Sequence, residues 1–215
     1  MVDFWYYHFG PYLFRTDTPQ HIIDRLKIDG KKTKFKYNHE LAGHLDHQYA
    51  YPTETRKWFT KEICEIMDTY LGGSMQFHGT GSPEVFPKLD LESLWVNYMK
   101  PGDFNPVHTH SFDYSFVIFL DVPSELKQEM DDFEGTAQKP GQIIFKYGQT
   151  QGYQNQWATT NLNMVPKTGD MYIFPAQLEH MVVPFKSDVT RISVSGNYRI
   201  ANREEVSPNN PHWFA

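Results

Sequence analysis

From about residue 90 onward the chain is cut into short apolar runs by glycine and proline. The runs are LESLWVNYMK, DYSFVIFLDVP, QIIFKYG, DMYIFPA, HMVVPF and TRISVSGNYRI. Each is rich in β-branched and aromatic residues and is bounded by turn residues, the pattern of strands rather than of helices. Proline and glycine at this density break any long helix. Many short strands with turns between them bury their apolar faces by closing on themselves or by packing face to face. A β-sandwich or barrel is therefore the fold open to this half of the chain.

The first 75 residues read differently. FWYYHF at residues 4–9 is aromatic and strand-prone, and Gly10-Pro11 stops it. Thr18-Pro19 opens a short helix, PQHIIDRLKI, with Ile22, Ile23 and Leu26 at helical spacing. The tract DGKKTKFKYNH reads as a basic, exposed loop. A longer helix is expected from about Glu54 to Leu71, because Trp58, Phe59, Ile63, Ile66, Met67 and Tyr70 recur at threes and fours. Gly72-Gly73 is expected to end it. The layout is α+β, mainly β: one unit over 1–215, with a helical support at 1–75, a β core at 76–200 and a tail at 201–215.

Bulk composition narrows the function. The chain has 215 residues, enough for a sizeable core, and 16% of them are aromatic, which excludes a disordered chain. A net charge of −6 argues against bulk affinity for nucleic acid or anionic membranes. One cysteine, Cys64, permits no intrachain disulfide and suits a reducing compartment. The N-terminus lacks the pattern of a signal peptide, and no apolar run reaches the length of a membrane span. These features lead to the expectation of a soluble, cytoplasmic protein.

Candidate chemistry gathers in three places. In GDFNPVHTH, His108 and His110 stand at i and i+2, which on a strand aims both rings at one face. Convergent imidazoles suit a borderline metal, whereas two polar residues at a turn need no metal at all. His180 opens a strand after the break at Pro175. In TRISVSGN, Arg191, Ser193 and Ser195 share one strand face. If that face is inside, the guanidinium needs an anion; if it is the outer face of an edge strand, Arg191 is simply solvated.

Taken in order, WVNYMKPGDFNPVHTH, SFVIFLDVP, PKTGDMYIFPAQLEHMVVPF and RISVSGN resemble the 2-oxoglutarate/Fe(II)-dependent oxygenases, over about residues 92–199. More narrowly, it resembles the branch found in bacteria and in phages of marine cyanobacteria; a phage-encoded member would lie in the host cytoplasm. It implies a double-stranded β-helix, or jelly roll. It implies Fe(II) held by His108 and His180, and 2-oxoglutarate held by Arg191 with Ser193 beside it. O2 is the co-substrate, and succinate and CO2 are the co-products. The family's carboxylate ligand lies two residues after the first histidine, and here that position is His110. Either His108, His110 and His180 form the metal site, or Asp113 supplies an oxygen ligand. Asn97 is a polar residue on an apolar strand. It either touches cofactor or substrate, or bonds a nearby backbone. The substrate class is unreadable; a prolyl-hydroxylase-like activity is the expectation.

Two rivals stand beside this reading. A three-histidine cupin shares the HTH and the later histidine but has no need of Arg191. A non-catalytic jelly roll would keep the fold alone. His39-Glu40 and His44 are spaced one residue too widely for a helical zinc-protease motif, and this tract is expected to pack near the cleft mouth. Lys31, Lys32, Lys34 and Lys36, with Phe35 and Tyr37 interleaved, read as a solvated loop, or else as a contact for an acidic partner or nucleic acid. Cys64 is expected in the core or half-buried. Specificity is expected from the insert Pro123 to Pro140 and from the tract GQTQGYQNQWATTNLN.

Overall fold

The computed structural model describes residues 10–79, 87–148 and 161–202. Ten strands form two antiparallel sheets. The larger takes β1 (Phe14–Asp17), β2 (Gln48–Ala50), β3 (Leu89–Met99), β5 (Tyr114–Asp121), β8 (Asp170–Pro175) and β10 (Arg191–Ile200), in the order β1-β8-β5-β10-β3-β2. The smaller takes β4 (Asn105–His108), β6 (Ile143–Lys146), β7 (Asn161–Met164) and β9 (Glu179–Val182), in the order β4-β9-β6-β7. Facing sheets whose strands alternate between them make the jelly roll.

Both faces of the larger sheet are covered, which is why its strands read as near-continuous apolar runs. Leu94 and Val96 of β3, Ile118 and Leu120 of β5, and Val194 of β10 point to the helices. There they meet Ile22 and Leu26 of α1 (Gln20–Lys32), Phe59 of α2 (Thr53–Glu62) and Tyr70 of α3 (Cys64–His78). The intervening residues point the other way. Met99, Val117, Phe119, Tyr172 and Phe174 pack on Ile143, Phe145 and Val182 of the smaller sheet. Burying each such side chain fully contributes about 1.5–3 kcal/mol. This inter-sheet face also receives Arg191 and Ser193.

The N-terminal part does more than support the core, since β1 and β2 extend the larger sheet at its two edges. Arg15 of β1 reaches the buried carboxylate of Asp170 at 2.6 Å, and Asp170 also accepts from the backbone N–H of Lys167 at 2.8 Å. The Gly169-Asp170 turn is therefore structural. The aromatic tract at residues 4–9 lies outside the described residues.

Several sequence expectations are corrected. Helix α1 runs on through Lys32, into the tract read as a loop. The single helix expected from Glu54 to Leu71 is two, joined at Ile63 (φ −99°, ψ −3°). Gly72-Gly73 does not end the second, which continues to His78 and stops at Gly79 with φ +66°. A Cβ at Gly73 would lie 2.4 Å from the Tyr12 hydroxyl, so this glycine gives room to a neighbour. Cys64 is exposed, because Ile63, Met67 and Tyr70 take the inward face. The Pro123–Pro140 insert contains α4 (Ser124–Asp131), whose Leu126 and Met130 are buried in the inter-sheet core.

Two glycines one strand and one helix apart give a contrasting pair of outcomes. A Cβ at Gly196, in the centre of β10, would come within 2.6 Å of the Ser93 carbonyl oxygen. Gly196→Ala should destabilise by about 1–3 kcal/mol through overpacking. Nothing lies within 4 Å of a Cβ at Gly72. Gly72→Ala should stabilise by about 0.5–1 kcal/mol. Urea unfolding of the two variants checks both signs.

Candidate metal and cofactor site

The register of the smaller sheet builds the site. His108 and His180 are direct cross-strand partners on β4 and β9, and His110 follows β4 in a turn. The turn is fixed by the His110 backbone N–H, which donates to the Ala176 carbonyl at 2.8 Å. The ring centroids lie 4.2 Å apart for His108 and His180, 5.1 Å for His108 and His110, and 5.2 Å for His110 and His180. One nitrogen from each of the three falls within 4.8 Å of the others.

Two rings are oriented by their own backbone. Nδ1 of His108 lies 2.8 Å from the Pro106 carbonyl, and Nδ1 of His180 lies 2.8 Å from the Leu178 carbonyl. A carbonyl only accepts, so Nδ1 carries the proton and Nε2 keeps its lone pair for a metal. Burial depresses all three imidazoles. His110 falls to about 4 and His180 to about 3, with the neighbouring rings adding to the effect. His108 is lowered as well, although the backbone carbonyls oppose the shift. At neutral pH the cluster is thus three neutral nitrogen donors.

Asp113 stands apart from the cluster. Its carboxylate accepts the Ile200 backbone N–H at 2.8 Å, and its own backbone is tied to Tyr198 and Ala176. That tether turns it toward the end of β10.

Arg191 lies on the inter-sheet face of β10, a central strand, so it is not the solvated edge residue that the sequence also allowed. It is 3% exposed. Nη1 donates to the Gly141 carbonyl at 2.8 Å, Nη2 meets the Met99 sulfur at 2.8 Å, and the guanidinium sits 5.2 Å from the Phe119 ring centroid. Among the described residues no carboxylate pairs with it, and its buried Nε–H has no hydrogen-bond partner. Burial lowers its pKa to about 10, which leaves it charged at neutral pH. A buried cation without an anion is costly unless a ligand supplies one.

Ser193 faces the same way as Arg191 and pairs with Asn97 across β3 and β10. Asn97 is held in a network. Its Oδ1 accepts from Gln48 at 2.8 Å and from the Trp95 indole at 3.0 Å. Its Nδ2 lies 3.4 Å from Ser193 Oγ and 3.3 Å from Ser195 Oγ. Asn197 instead bonds Ser115 and Ser93 within the sheet.

A cavity of about 180 Å³ joins these parts. The three histidines, Arg191, Ser193 and Asn97 all line it. So do Glu40, Leu41, Ala42 and Gly43, which puts the His39-Glu40 tract at the cleft as expected. The Pro123–Pro140 insert contributes no lining residue. Most of the glutamine-rich tract lies outside the described residues. Gln48 and Trp95 are the residues the sequence reading missed. Trp95 shares strand parity with Asn97, a signal that was available. Gln48 sits on a three-residue strand with no readable pattern.

Fold and site define a jelly-roll protein with a histidine cluster and a buried arginine in one cavity. Residues 93–197, from β3 into β10, match the family model described as "Putative 2OG-Fe(II) oxygenase". Over this segment, just under half of its length, the chain is similar to the 2-oxoglutarate/Fe(II)-dependent oxygenases. Solved structures share the fold. A viral collagen prolyl hydroxylase from Paramecium bursaria chlorella virus 1, in complex with 2-oxoglutarate, aligns with a TM-score of 0.55 at 14% identity, covering 89% of this chain and 98% of that one. A prolyl-4-hydroxylase from Pseudomonas putida gives 0.50 at 15% identity, covering 88% and 93%. HygX from Streptomyces hygroscopicus, with nickel, 2-oxoglutarate and hygromycin B bound, gives 0.55 at 9% identity, covering 91% and 84%. No curated protein sequence matches. Among the described residues, no helix is long and apolar enough to cross a membrane.

The depressed imidazoles set a pH dependence for the metal-free protein. In the unfolded chain these histidines titrate near about 6.5. In the folded chain they hold their protons only at lower pH. The unfolded state therefore binds more protons below about 6.5, and stability falls as pH drops from there toward 4. Urea midpoints of the metal-free protein between pH 7.5 and 4 should show this decline. His180→Gln should flatten it.

Proposed function

We propose that this protein is an Fe(II)/2-oxoglutarate-dependent hydroxylase with a three-histidine metal site. His108, His110 and His180 hold the metal. Arg191, assisted by Ser193, holds the far carboxylate of 2-oxoglutarate. One observation carries this reading: a buried, anion-less arginine and three convergent neutral imidazoles line a single cavity. A cupin of another kind would have no use for that arginine.

The donor chemistry fits the groups. Three neutral imidazole donors suit a first-row divalent metal. The free Nε–H of Arg191 suits a carboxylate, which the guanidinium grips with directed, charge-assisted hydrogen bonds. When bound, Fe(II) and 2-oxoglutarate would supply the oxidising power for hydroxylation, with succinate and CO2 as co-products. The chain supplies placement. The Pro106 and Leu178 carbonyls fix two ring orientations, and the Gln48-Trp95-Asn97 network fixes the wall beside Ser193. Phe119, Phe174 and Val182 keep the cavity apolar on the remaining sides. The absence of a carboxylate at position 110 leaves the metal with one negative charge fewer than the family pattern provides.

The substrate we infer is a polypeptide, with prolyl hydroxylation as the preferred reaction. The viral and Pseudomonas structures are prolyl hydroxylases by name. A cavity of about 180 Å³ is small beside the roughly 300–1,000 Å³ of pockets that enclose a whole drug-sized ligand. With 2-oxoglutarate inside, it admits one side chain rather than a whole metabolite.

Anaerobic titration with Fe(II) and then 2-oxoglutarate tests the site through the visible metal-to-ligand charge-transfer band. Arg191→Met should weaken 2-oxoglutarate binding by at least about thirtyfold. The same variant should leave the metal-free protein as stable or more so, because it removes an unpaired buried charge. His110→Ala should abolish the band, and Asp113→Ala should keep it. Loss of the band with Asp113→Ala, and retention with His110→Ala, would transfer the third ligand to Asp113. Its absence from iron-loaded wild type would reject the cofactor.

A further inference from the structure

A second concavity, of about 680 Å³, is lined by residues of α1, β2 and α2 and by the segment between α1 and β2. Its walls include Arg25, Lys32, Phe35, Tyr37 and Arg56, and its floor includes Ala50. The two are linked by the register of one strand. On β2, Gln48 pairs with Asn97 and Ala50 pairs with Trp95, so Gln48 and Ala50 share a face. Gln48 and Trp95 line the metal cavity, and Ala50 lines the groove. Tyr37, which lines the groove, lies 5.9 Å from the ring of Trp95, which lines the metal cavity.

The groove carries a charge opposite to that of the molecule, whose net charge is −6. The acidic group on its wall, Asp29, is already engaged by Arg25 at 2.8 Å and by Thr55 at 2.8 Å. Arg56 is held by the backbone carbonyls of Leu91 and Glu92. Lys32 forms no ion pair among the described residues, and Lys31, Lys34 and Lys36 beside it are likewise exposed and unpaired. Phe35, at the rim, is 67% exposed.

We propose that this groove docks the flanking residues of a polypeptide substrate and that those residues include carboxylates. The proposal rests on the hydroxylase reading above and names the substrate class for that site. The metal cavity takes one side chain, and the groove takes the acidic, partly apolar stretch beside it. Lys32 on the groove, with the exposed Lys31, Lys34 and Lys36 nearby, matches one or two carboxylates next to an apolar residue. A nucleic acid would call for a longer row of phosphate contacts.

The test uses the full chain and three fluorescein-labelled probes, read by anisotropy at low salt. They are a decapeptide of alternating Glu and Pro, its Lys/Pro counterpart and a ten-nucleotide oligothymidine. The Glu/Pro peptide should bind, weaken with added salt, and outcompete the other two. Lys32→Glu should weaken it about tenfold, and Phe35→Ser should weaken it at unchanged net charge. Lys61→Glu, an equal charge change on the exposed side of α2, should leave it unchanged. The 2-oxoglutarate charge-transfer band should be the same in all three variants. No Glu/Pro binding, equal Lys/Pro binding, or equal loss in Lys61→Glu would overturn the proposal. Tighter oligothymidine binding through Lys32 would overturn it in favour of nucleic acid. A wild type without the charge-transfer band whose Glu/Pro binding is still lost in Lys32→Glu would sink the hydroxylase reading and leave the groove standing.

Discussion

The arrangement of this molecule depends on a guanidinium sealed between two sheets without an anion. Arg191 is 3% exposed and is met by a carbonyl, a sulfur and an aromatic face, none of which carries a full negative charge. An unpaired charge in so apolar a place costs several kcal/mol. A fold that served stability alone would hold a methionine or leucine there. The cavity beside Arg191 is where the deficit can be met, and the three histidines border the same space. Under the function proposed above, stability given up at Arg191 is returned as affinity for a carboxylate ligand.

The histidines show a complementary economy. Their burial keeps them neutral, and backbone carbonyls two residues earlier in the chain hold two of the rings. Geometry and protonation state are thus set before any metal arrives, so little reorganisation remains for binding. Under the function proposed above, the cluster has a neutral imidazole where the resemblance implies a carboxylate. His110 occupies the place of a carboxylate, while Asp113 is committed to the Ile200 backbone. A metal here would carry more uncompensated positive charge than the pattern provides, which favours anionic ligands in the cavity.

The N-terminal segment links core to function. Helices α1 to α3 cover the outer face of the larger sheet, and β2 extends its edge so that Gln48 enters the cavity wall. The turn at Asn38–Glu40 and the residues after it then close one side of the cleft. One segment therefore stabilises the sheet, braces Asn97 through Gln48, and shapes the surface along which we infer that a substrate lies.

Much of this was legible in the sequence because strand parity is local. Short runs between turn residues gave the sandwich. The i, i+2 spacing gave one face to Arg191 and Ser193, whereas His110 lies past the end of β4 and is set beside His108 by its backbone bond to Ala176 rather than by strand parity. Helix limits were less legible. Gly72-Gly73 looked like a stop, yet packing of Met67, Tyr70, Leu71 and Met75 against the core carries α3 past it. Cys64 was misplaced because a break at Ile63 changed which face turned inward. What only the tertiary structure decided was convergence. Nothing local says that β4 pairs with β9 to join His108 to His180, that β2 brings Gln48 to Asn97, or that Arg191 faces inward with no carboxylate partner among the described residues. Those facts come from strand order and sheet packing, which depend on apolar contacts between residues far apart in the chain. The sequence by itself determined which chemistry was available, and the packing of the two sheets decided that it meets in one place.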